Sequence, residues 1–168
     1  MNISITLSAK EAAQVHQILK AFDEGLIANP SEGWELDHYD EKIADRAGLK
    51  AIIKKIEKSL PKEESEKTNK AVLRRRYDTF NNKINEPAYR KIEKAFNNQK
   101  TIEIGYFDMA SAETRKREIS IYHKTRKYVI GYCHLRKAIR KFRTSRIVTA
   151  KLTDKDYTIP DSFDKNLY

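Results

Sequence analysis

The spacing of apolar residues changes near the middle of the chain. Before about Lys100 they recur at steps of three and four, as on one face of an α-helix. After that point they alternate with polar residues, as along a half-buried strand. The pattern therefore predicts an α+β chain, with a helical N-terminal half and an all-β C-terminal half.

The first apolar positions predict a strand followed by a helix. Met1–Leu7 alternates polar and apolar residues, which is typical of a short strand. Ser8 and Glu11 then fit the S-x-x-E capping box, in which each side chain accepts from a free backbone N–H at the start of a helix. Gly25 is expected to end this helix.

Three further helices are predicted. Tyr39–Leu60 is the second, with Gly48 expected to interrupt it, and the third covers about Glu64–Lys83. Pro87 suits the first position of a fourth helix, because the N–H that proline lacks is not needed there. The charged stretch Pro61–Asn69 is a candidate hinge.

The C-terminal half divides into five short segments of alternating pattern. In the first four, the positions that share one side are Ile102, Ile104 and Tyr106; Ile119 and Ile121; Tyr128, Ile130 and Tyr132; and Ala138, Arg140 and Phe142. Ile147–Leu152 is the fifth segment. Five strands at this spacing predict a small β-barrel or a strongly bent sheet.

These elements divide the chain into three expected regions. Residues 1–60 hold the strand and two helices, a candidate surface for dimerisation or for binding a partner protein. Residues 61–85 are expected to form a charged linker and a helix, and residues 86–168 a β-rich domain.

Composition narrows the class of protein. No stretch approaches the roughly 20 apolar residues of a transmembrane helix, and the N-terminal residues do not resemble a signal peptide. The single cysteine, Cys133, excludes an internal disulfide framework and fits a reducing compartment. We therefore expect a soluble, cytoplasmic protein.

The positive charge of the chain is concentrated in the β-rich half. The formal net charge is +10, from 34 Lys and Arg against 24 Asp and Glu. Between Arg115 and Arg146 there are twelve Lys or Arg and one acid, Glu118. Such asymmetry predicts an electropositive face for a polyanion, and the alternative is a well-solvated surface with a high isoelectric point.

The sequence contains no recognisable catalytic or metal-binding constellation. Its four histidines, His16, His38, His123 and His134, are dispersed, and its five glycines form no phosphate-cradling cluster. His134 follows Cys133 directly, so on a strand the two side chains point to opposite faces. We therefore expect neither an enzyme nor a bound cofactor or metal.

Arginines and aromatic residues are interleaved in the predicted strands. Arginine forks match phosphate oxygens, and aromatic rings offer stacking faces to unpaired bases. The alternative for each ring is that it belongs to the core. The interleaved residues are Arg117, Tyr122, Tyr128, Tyr132, Arg136, Arg140, Phe142, Arg143 and Arg146.

The segment Lys127–Ile147 resembles the signature of the WYL domain. Tyr128 holds the middle position of the W-Y-L triplet, although Lys127 and Val129 replace the Trp and Leu. The signature continues with a Y-C-x-x-R element at Tyr132–Arg136, an R-x-F-R element at Arg140–Arg143, and Arg146-Ile147. Residues upstream and downstream extend the resemblance to about 86–164.

Resemblance to this family implies an Sm-like, SH3-type β-barrel with a ligand-sensing role. Such domains bind single-stranded nucleic acid or nucleotide-like ligands and control an attached or partner module. The positions carried over from the family are Tyr106, Arg117, Tyr128, His134, Arg136, Arg140 and Arg146. Arg143 joins them as a candidate on charge and spacing.

The preferred functional hypothesis is a compact regulator or accessory protein that binds RNA or DNA through this domain. Stand-alone members of the family accompany phage-defence systems, including CRISPR loci, so an antiviral effector is an expected partner. One alternative is a transcriptional regulator that binds duplex DNA as a ribbon-helix-helix-like homodimer through its opening strand. Another is a protein-interaction module that uses the acidic region Asp23–Asp45. A homodimer is expected under the first two hypotheses.

Overall fold

The computed structural model describes residues 5–26, 46–78 and 83–168. The chain divides into two compact units, Met1–Arg76 and Tyr77–Tyr168. We call them the helical unit and the sheet unit.

The helical unit contains three helices in its described part: α1 (Ala9–Asp23), α2 (Arg46–Ser59) and α3 (Lys62–Arg76). The capping box of α1 is confirmed, since the Ser8 N–H donates to Glu11 Oε2 at 2.8 Å and the Glu11 N–H to Ser8 Oγ at 3.4 Å.

The predicted end of α1 is also confirmed. Gly25 adopts a φ of +65°, a left-handed conformation that glycine enters without a steric cost. The Leu26 N–H then donates to the Ala21 carbonyl at 2.8 Å, which satisfies one of the last free carbonyls of the helix.

Two predictions for this unit are wrong. Gly48 does not interrupt α2, because Leu49 and Ile53 beyond it are buried and anchor the helix. Pro61–Asn69 is not a hinge: the Pro61 carbonyl accepts from the Ser65 N–H at 3.0 Å, so α3 begins at once. Thr68 is buried, which holds this part of α3 in the core.

Two other predictions fall partly outside the described residues. Of the predicted opening strand, residues 1–4 lie outside them, and Ile5–Leu7 do not form a strand. Of the predicted second helix, residues 39–45 also lie outside them.

His16 occupies the core of the helical unit. It lies on α1 and is fully buried, and neither of its ring nitrogens has a hydrogen-bond partner among the described residues. Burial lowers the pKa of His16, Glu57 acts in the opposite direction, and Lys20 lowers it further. The neutral imidazole is therefore the favoured form in the folded protein.

The sheet unit packs one helix against five antiparallel strands. Its elements are α4 (Glu86–Asn97), β1 (Lys100–Asp108), β2 (Glu113–Lys124), β3 (Tyr128–Cys133), β4 (Ala138–Arg143) and β5 (Ile147–Asp156), with short 3₁₀ turns at Thr144–Arg146 and Lys165–Leu167. The order in the sheet is β4-β3-β2-β1-β5. The α+β class and the five predicted strands are confirmed.

The expected closed barrel is wrong, because the sheet is open, with β4 and β5 at its two edges. Helix α4 covers the apolar face: Ala88, Ile92 and Ala95 form one core with the strands. That face is therefore buried without a β4–β5 ladder. The sheet nevertheless curls, since Tyr106 of β1 packs edge-on against Phe142 of β4 with ring centroids 5.2 Å apart.

Helix α4 is fixed to the sheet at its first turn. Asn85 caps the helix, with its Oδ1 accepting from the Ala88 N–H at 3.1 Å. The Nδ2 of the same side chain donates to the Val148 carbonyl of β5 at 2.8 Å. One residue thus joins the start of α4 to an edge strand.

Register assigns each strand residue to one of two faces. Val129 and Cys133 are fully buried under α4, on what we call the inner face. Tyr128 and Tyr132 alternate with them along β3 and so project from the opposite, outer face. Between these positions Gly131 lies so close to the Ser120 backbone that a Cβ would meet the Ser120 carbonyl oxygen.

Candidate nucleic-acid interface

Half of the cations between Arg115 and Arg146 have no carboxylate partner among the described residues. Four are paired: Arg115 with Glu113 at 3.3 Å, Lys116 with Glu103 at 3.4 Å, Lys124 with Glu93 at 3.0 Å, and Arg126 with Glu86. The Lys141 ammonium contacts the main-chain oxygen of Tyr168, the last residue of the sequence. Six have no carboxylate partner within the part of the chain that the structure describes: Arg117, Lys127, Arg136, Lys137, Arg140 and Arg146. This segment therefore carries a concentrated, unneutralised positive charge.

Four cations follow each other along the β3–β4 hairpin and are exposed. Arg136 and Lys137 lie in its turn, and Arg140 and Lys141 lie on β4, an edge strand. Arg140 pairs with Gly131 and Lys141 with Ile130, so their side chains leave β4 on opposite faces. We call these four residues the β4 edge.

The predicted site residues do not form one cluster. Tyr128 lies directly opposite Arg143 in the β3–β4 pairing. The Tyr106 hydroxyl accepts from the Arg143 N–H at 3.3 Å, and the Arg143 Nε donates to Ser145 Oγ at 3.1 Å. Tyr106, Tyr128 and Arg143 therefore meet at the C-terminal end of β4.

Arg146 lies nearby, in the turn that leads to β5. Its Nε donates to the Tyr77 carbonyl at 3.2 Å, and the Tyr77 ring stacks on Phe107 with centroids 4.2 Å apart. The guanidinium thus has a structural contact within the sheet unit, and a role in binding stays a prediction.

The remaining predicted residues lie towards the other end of β4. The His134 N–H donates to the Glu118 carbonyl at 3.0 Å, and its Nε2 is 2.9 Å from Ser120 Oγ. Arg136 follows in the same turn. Arg117 neighbours Glu118 on β2 and pairs with Ile104 of β1. Arg140 lies on β4 between the two groups.

A cavity of about 460 Å³ opens beside the C-terminal end of β4. Its lining residues are Ile84, Glu86, Arg126, Lys127, Arg143 and Ser145. The Glu86 carboxylate is already engaged by Arg126, whose guanidinium also lies 4.9 Å from the Tyr89 ring centroid. The cavity thus combines three cations with one paired acid.

Sequence reasoning identified Arg143 in this cavity but missed Arg126, Lys127 and Ser145. The register of the β3–β4 hairpin explains why Lys127 lies here. It pairs Tyr128 with Arg143, which brings Lys127 next to Thr144. The Thr144 N–H indeed donates to the Lys127 carbonyl at 3.0 Å.

A second cavity, of about 310 Å³, lies on the outer face. Its lining residues are His123, Thr125, Tyr128, Ile130, Lys141, Lys165, Asn166 and Tyr168. We call it the outer cavity. Its C-terminal residues were missed, because no periodic pattern in Pro160–Tyr168 indicates which strand they cover.

The C-terminal segment is held on the outer face by aromatic contacts. Tyr122 packs against Tyr157 and Phe163, with ring centroids 6.1 and 5.2 Å away, and Phe163 stacks on Tyr168 at 6.1 Å. The Tyr157 hydroxyl donates to the Ile121 carbonyl, and burial raises the pKa of Tyr157 to about 12. That hydroxyl therefore stays protonated and anchored.

Neither a metal site nor a membrane-spanning helix is present among the described residues. Within them, no three His, Cys, Asp or Glu side chains come together as a metal site would require. None of the helices they form has the length and apolar character needed to cross a membrane.

Comparison with known proteins shows what part of the sheet unit is similar to. No curated protein sequence matches the chain significantly. Among solved structures, the proteasome accessory factor B/C (PafBC) of Arthrobacter aurescens is similar to 94% of this chain, with 16% identity and a TM-score of 0.37, and the match spans 22% of that longer chain. Residues 87–152 match the model of the WYL domain family. The resemblance seen in the sequence is thus confirmed for residues 87–152, which match the WYL domain.

Proposed function

We propose that this chain is a regulatory protein that binds nucleic acid through its WYL domain, with single strands preferred over duplexes. The WYL domain itself supports a regulatory, nucleic-acid-associated role. The observation that carries the proposal is the set of six cations between Arg117 and Arg146 that lack a carboxylate partner among the described residues.

Backbone phosphates suit the cations of the β4 edge. Arg136 and Arg140 present planar forks that match two phosphate oxygens at once, and Lys137 and Lys141 add point charges beside them. Because the β4 edge is exposed on both faces of the strand, an extended chain can follow it. Binding would release counterions from the strand and so weaken as salt rises.

The preference for single strands is supported by rings beside the cations. Tyr128 and Tyr132 are only half-buried and project from the outer face. Unpaired bases stack on such rings, at about 1–3 kcal/mol per base, whereas bases inside a duplex are already stacked. Stacking next to phosphate contacts therefore favours RNA or DNA with exposed bases.

The regulatory part of the proposal concerns a partner. We propose that strand binding controls an effector protein of a phage-defence or CRISPR system, and that the protein acts as a homodimer. The first point is supported by the family resemblance of the segment Lys127–Ile147, and the second by residues 1–60 as a candidate surface for dimerisation.

Fluorescence anisotropy tests the proposal. Labelled single-stranded RNA, single-stranded DNA and duplex DNA are titrated with the wild type and with Arg136→Ala/Arg140→Ala. We expect tighter binding of single strands than of duplex, and a loss of at least tenfold in the double variant, since each contact to a charged group contributes about 1.5–3 kcal/mol.

A matched control removes the same charge elsewhere in the sheet unit. Lys116 and Lys155 are each paired with a glutamate, at 3.4 and 2.8 Å. Lys116→Ala/Lys155→Ala is expected to change affinity much less than the arginine variant. Equal losses in the two variants, or preferred duplex binding that neither variant weakens, would contradict the proposal.

A further inference from the structure

We infer that the C-terminal residues Lys165–Tyr168 complete a slot for one unpaired base and its phosphate on the outer face of the sheet. The slot is the outer cavity. This inference rests on the proposed function, because it names a second contact for the same single strand, away from the phosphates held along the β4 edge.

The size of the outer cavity suits a single nucleotide. Its volume of about 310 Å³ lies at the lower end of the roughly 300–1,000 Å³ that is typical of ligand pockets. Tyr128 and Tyr168 supply aromatic rings to its wall, and Ile130 supplies an apolar side chain. This combination favours a flat, partly apolar group such as a base.

The charge of the cavity suits the phosphate of that nucleotide. Lys141 and Lys165 both line it, and no Asp or Glu is found among its described lining residues. Lys165 forms no ion pair with a carboxylate in the described ranges, whereas the Lys141 ammonium contacts the main-chain oxygen of Tyr168, the last residue of the sequence. Asn166 adds an amide that both donates and accepts, as recognition of a base edge requires.

Lys141 already occupies the position that a base would take over Tyr128. Its Nζ lies 4.8 Å from the Tyr128 ring centroid and donates to the main-chain oxygen of Tyr168. The Lys127 Nζ lies 5.4 Å from the same centroid. A base that stacks on Tyr128 would displace the Lys141 ammonium from the ring, and the phosphate of the nucleotide offers that ammonium a charged partner.

The C-terminal side of the slot is in place before a ligand arrives. Phe163 packs edge-on against Tyr122 of β2 and stacks on Tyr168, which holds the tail against the outer face. Because these residues are already ordered, the entropy lost on binding is smaller than for a free tail. The competing interpretation is that the tail only covers the apolar surface around Ile130.

Two oligonucleotides of equal length separate these interpretations. One is single-stranded DNA that carries a single 2-aminopurine, whose fluorescence falls on stacking, and the other has the same backbone without bases. They are titrated with the full chain and with Tyr168→Leu, which keeps an apolar side chain but removes the ring. Lys165→Ala is the second variant, and Arg136→Ala/Arg140→Ala is the comparison.

We expect Tyr168→Leu to weaken binding of the base-bearing strand by at least about fivefold and to leave the baseless strand unchanged. Lys165→Ala should weaken binding of both strands. Equal affinity of the wild type for the two strands, together with no effect of Tyr168→Leu, would overturn the slot. The proposed function would survive that result if the arginine variant still weakened both strands, and it would fall if the wild type bound neither.

A third titration, with adenosine monophosphate, shows whether the slot takes a base within a strand or a free nucleotide. Weakened strand binding in Tyr168→Leu assigns the slot to a base within a strand. If the monophosphate binds the wild type but not Tyr168→Leu, and strand binding is the same in both, the slot takes a free nucleotide and the inference as stated is wrong.

Discussion

The two units of the chain differ in the balance between basic and acidic residues. Residues 1–76 hold 14 Lys or Arg and 13 Asp or Glu, whereas residues 77–168 hold 20 and 11. In the helical unit, cations pair with nearby carboxylates, as Arg76 does with Glu24 at 2.7 Å. In the sheet unit, Arg136, Lys137 and Arg140 of the β4 edge form no ion pair with a described carboxylate.

The two units also differ in the residues that form their cores. The sheet unit buries a set of isoleucines with no exposed area, among them Ile92, Ile102 and Ile119. In its described part the helical unit buries apolar side chains such as Leu49 and Ile53 together with the polar His16 and Thr68, and it leaves Ile18 and Ile52 more than half exposed. The sheet unit therefore has a core built around several isoleucines, whereas the helical unit buries a histidine whose protonation would weaken it.

Gly131→Ala is expected to have the largest effect on stability, and this effect is confined to the sheet unit. A Cβ at this position would meet the Ser120 carbonyl, so β2 and β3 would have to separate. We expect a loss of about 1–3 kcal/mol in the free energy of unfolding, as overpacking typically costs. Amide hydrogen exchange would show faster exchange in β2 and β3 and unchanged exchange in α1 and α3.

A control for this change is available on the same hairpin. Leu135 is 65% exposed, so Leu135→Ala should leave exchange in both units unchanged. Unaltered protection of β3 in Gly131→Ala would show that the strand spacing is not as tight as described here.

Ser8→Ala is expected to have a smaller effect, in the helical unit alone. The substitution removes the side-chain half of the capping box, in which Ser8 Oγ accepts from the Glu11 N–H. Loss of such a cap costs about 1 kcal/mol. Faster exchange in α1 with no change in the sheet unit is the expected result, and Ser8→Asp, which keeps an acceptor, should restore protection.

A fall in pH is expected to weaken the helical unit, with His16 as the cause. Because burial lowers the pKa of His16 in the folded state, the unfolded chain binds the proton first, near its ordinary pKa of about 6.5. The contribution of the neutral imidazole is thus fully present above about pH 6.5 and is lost as the pH falls below it.

Hydrogen exchange in α1 at pH 7.5 and 5.5, corrected for the intrinsic rates, measures this effect. His16→Leu, which cannot take up a proton, should reduce the difference in the free energy of opening between the two pH values. An undiminished difference in that variant would assign the pH response to another group.

Local physics made parts of this structure predictable. The capping box at Ser8 and Glu11, the stop at Gly25 and the alternation through Ile119 and Ile121 depend on neighbours within a few residues, so the sequence displays them directly. The positive charge of the β4 edge was also visible in the sequence, because its four cations lie close together in the chain.

Contacts between distant residues could not be predicted in the same way. The open sheet depends on how α4 covers the inner face, and a strand pattern alone does not distinguish a covered sheet from a closed barrel. The outer cavity depends on Phe163 reaching Tyr122, a contact between segments that share no periodicity. Gly48 stayed helical because Leu49 and Ile53 are buried, which outweighs its low propensity.

The salt dependence of strand binding tests whether the arginines of the β4 edge hold the phosphates of the strand. The logarithm of the affinity for single-stranded DNA is measured against the logarithm of the salt concentration for the wild type and for Arg136→Ala/Arg140→Ala. Each phosphate contact to a single strand contributes a slope of about −0.7, so the double variant should have a slope shallower by about 1.4. Identical slopes in the two proteins would contradict the account, because the unpaired arginines of the β4 edge would then not be the groups that hold the phosphates.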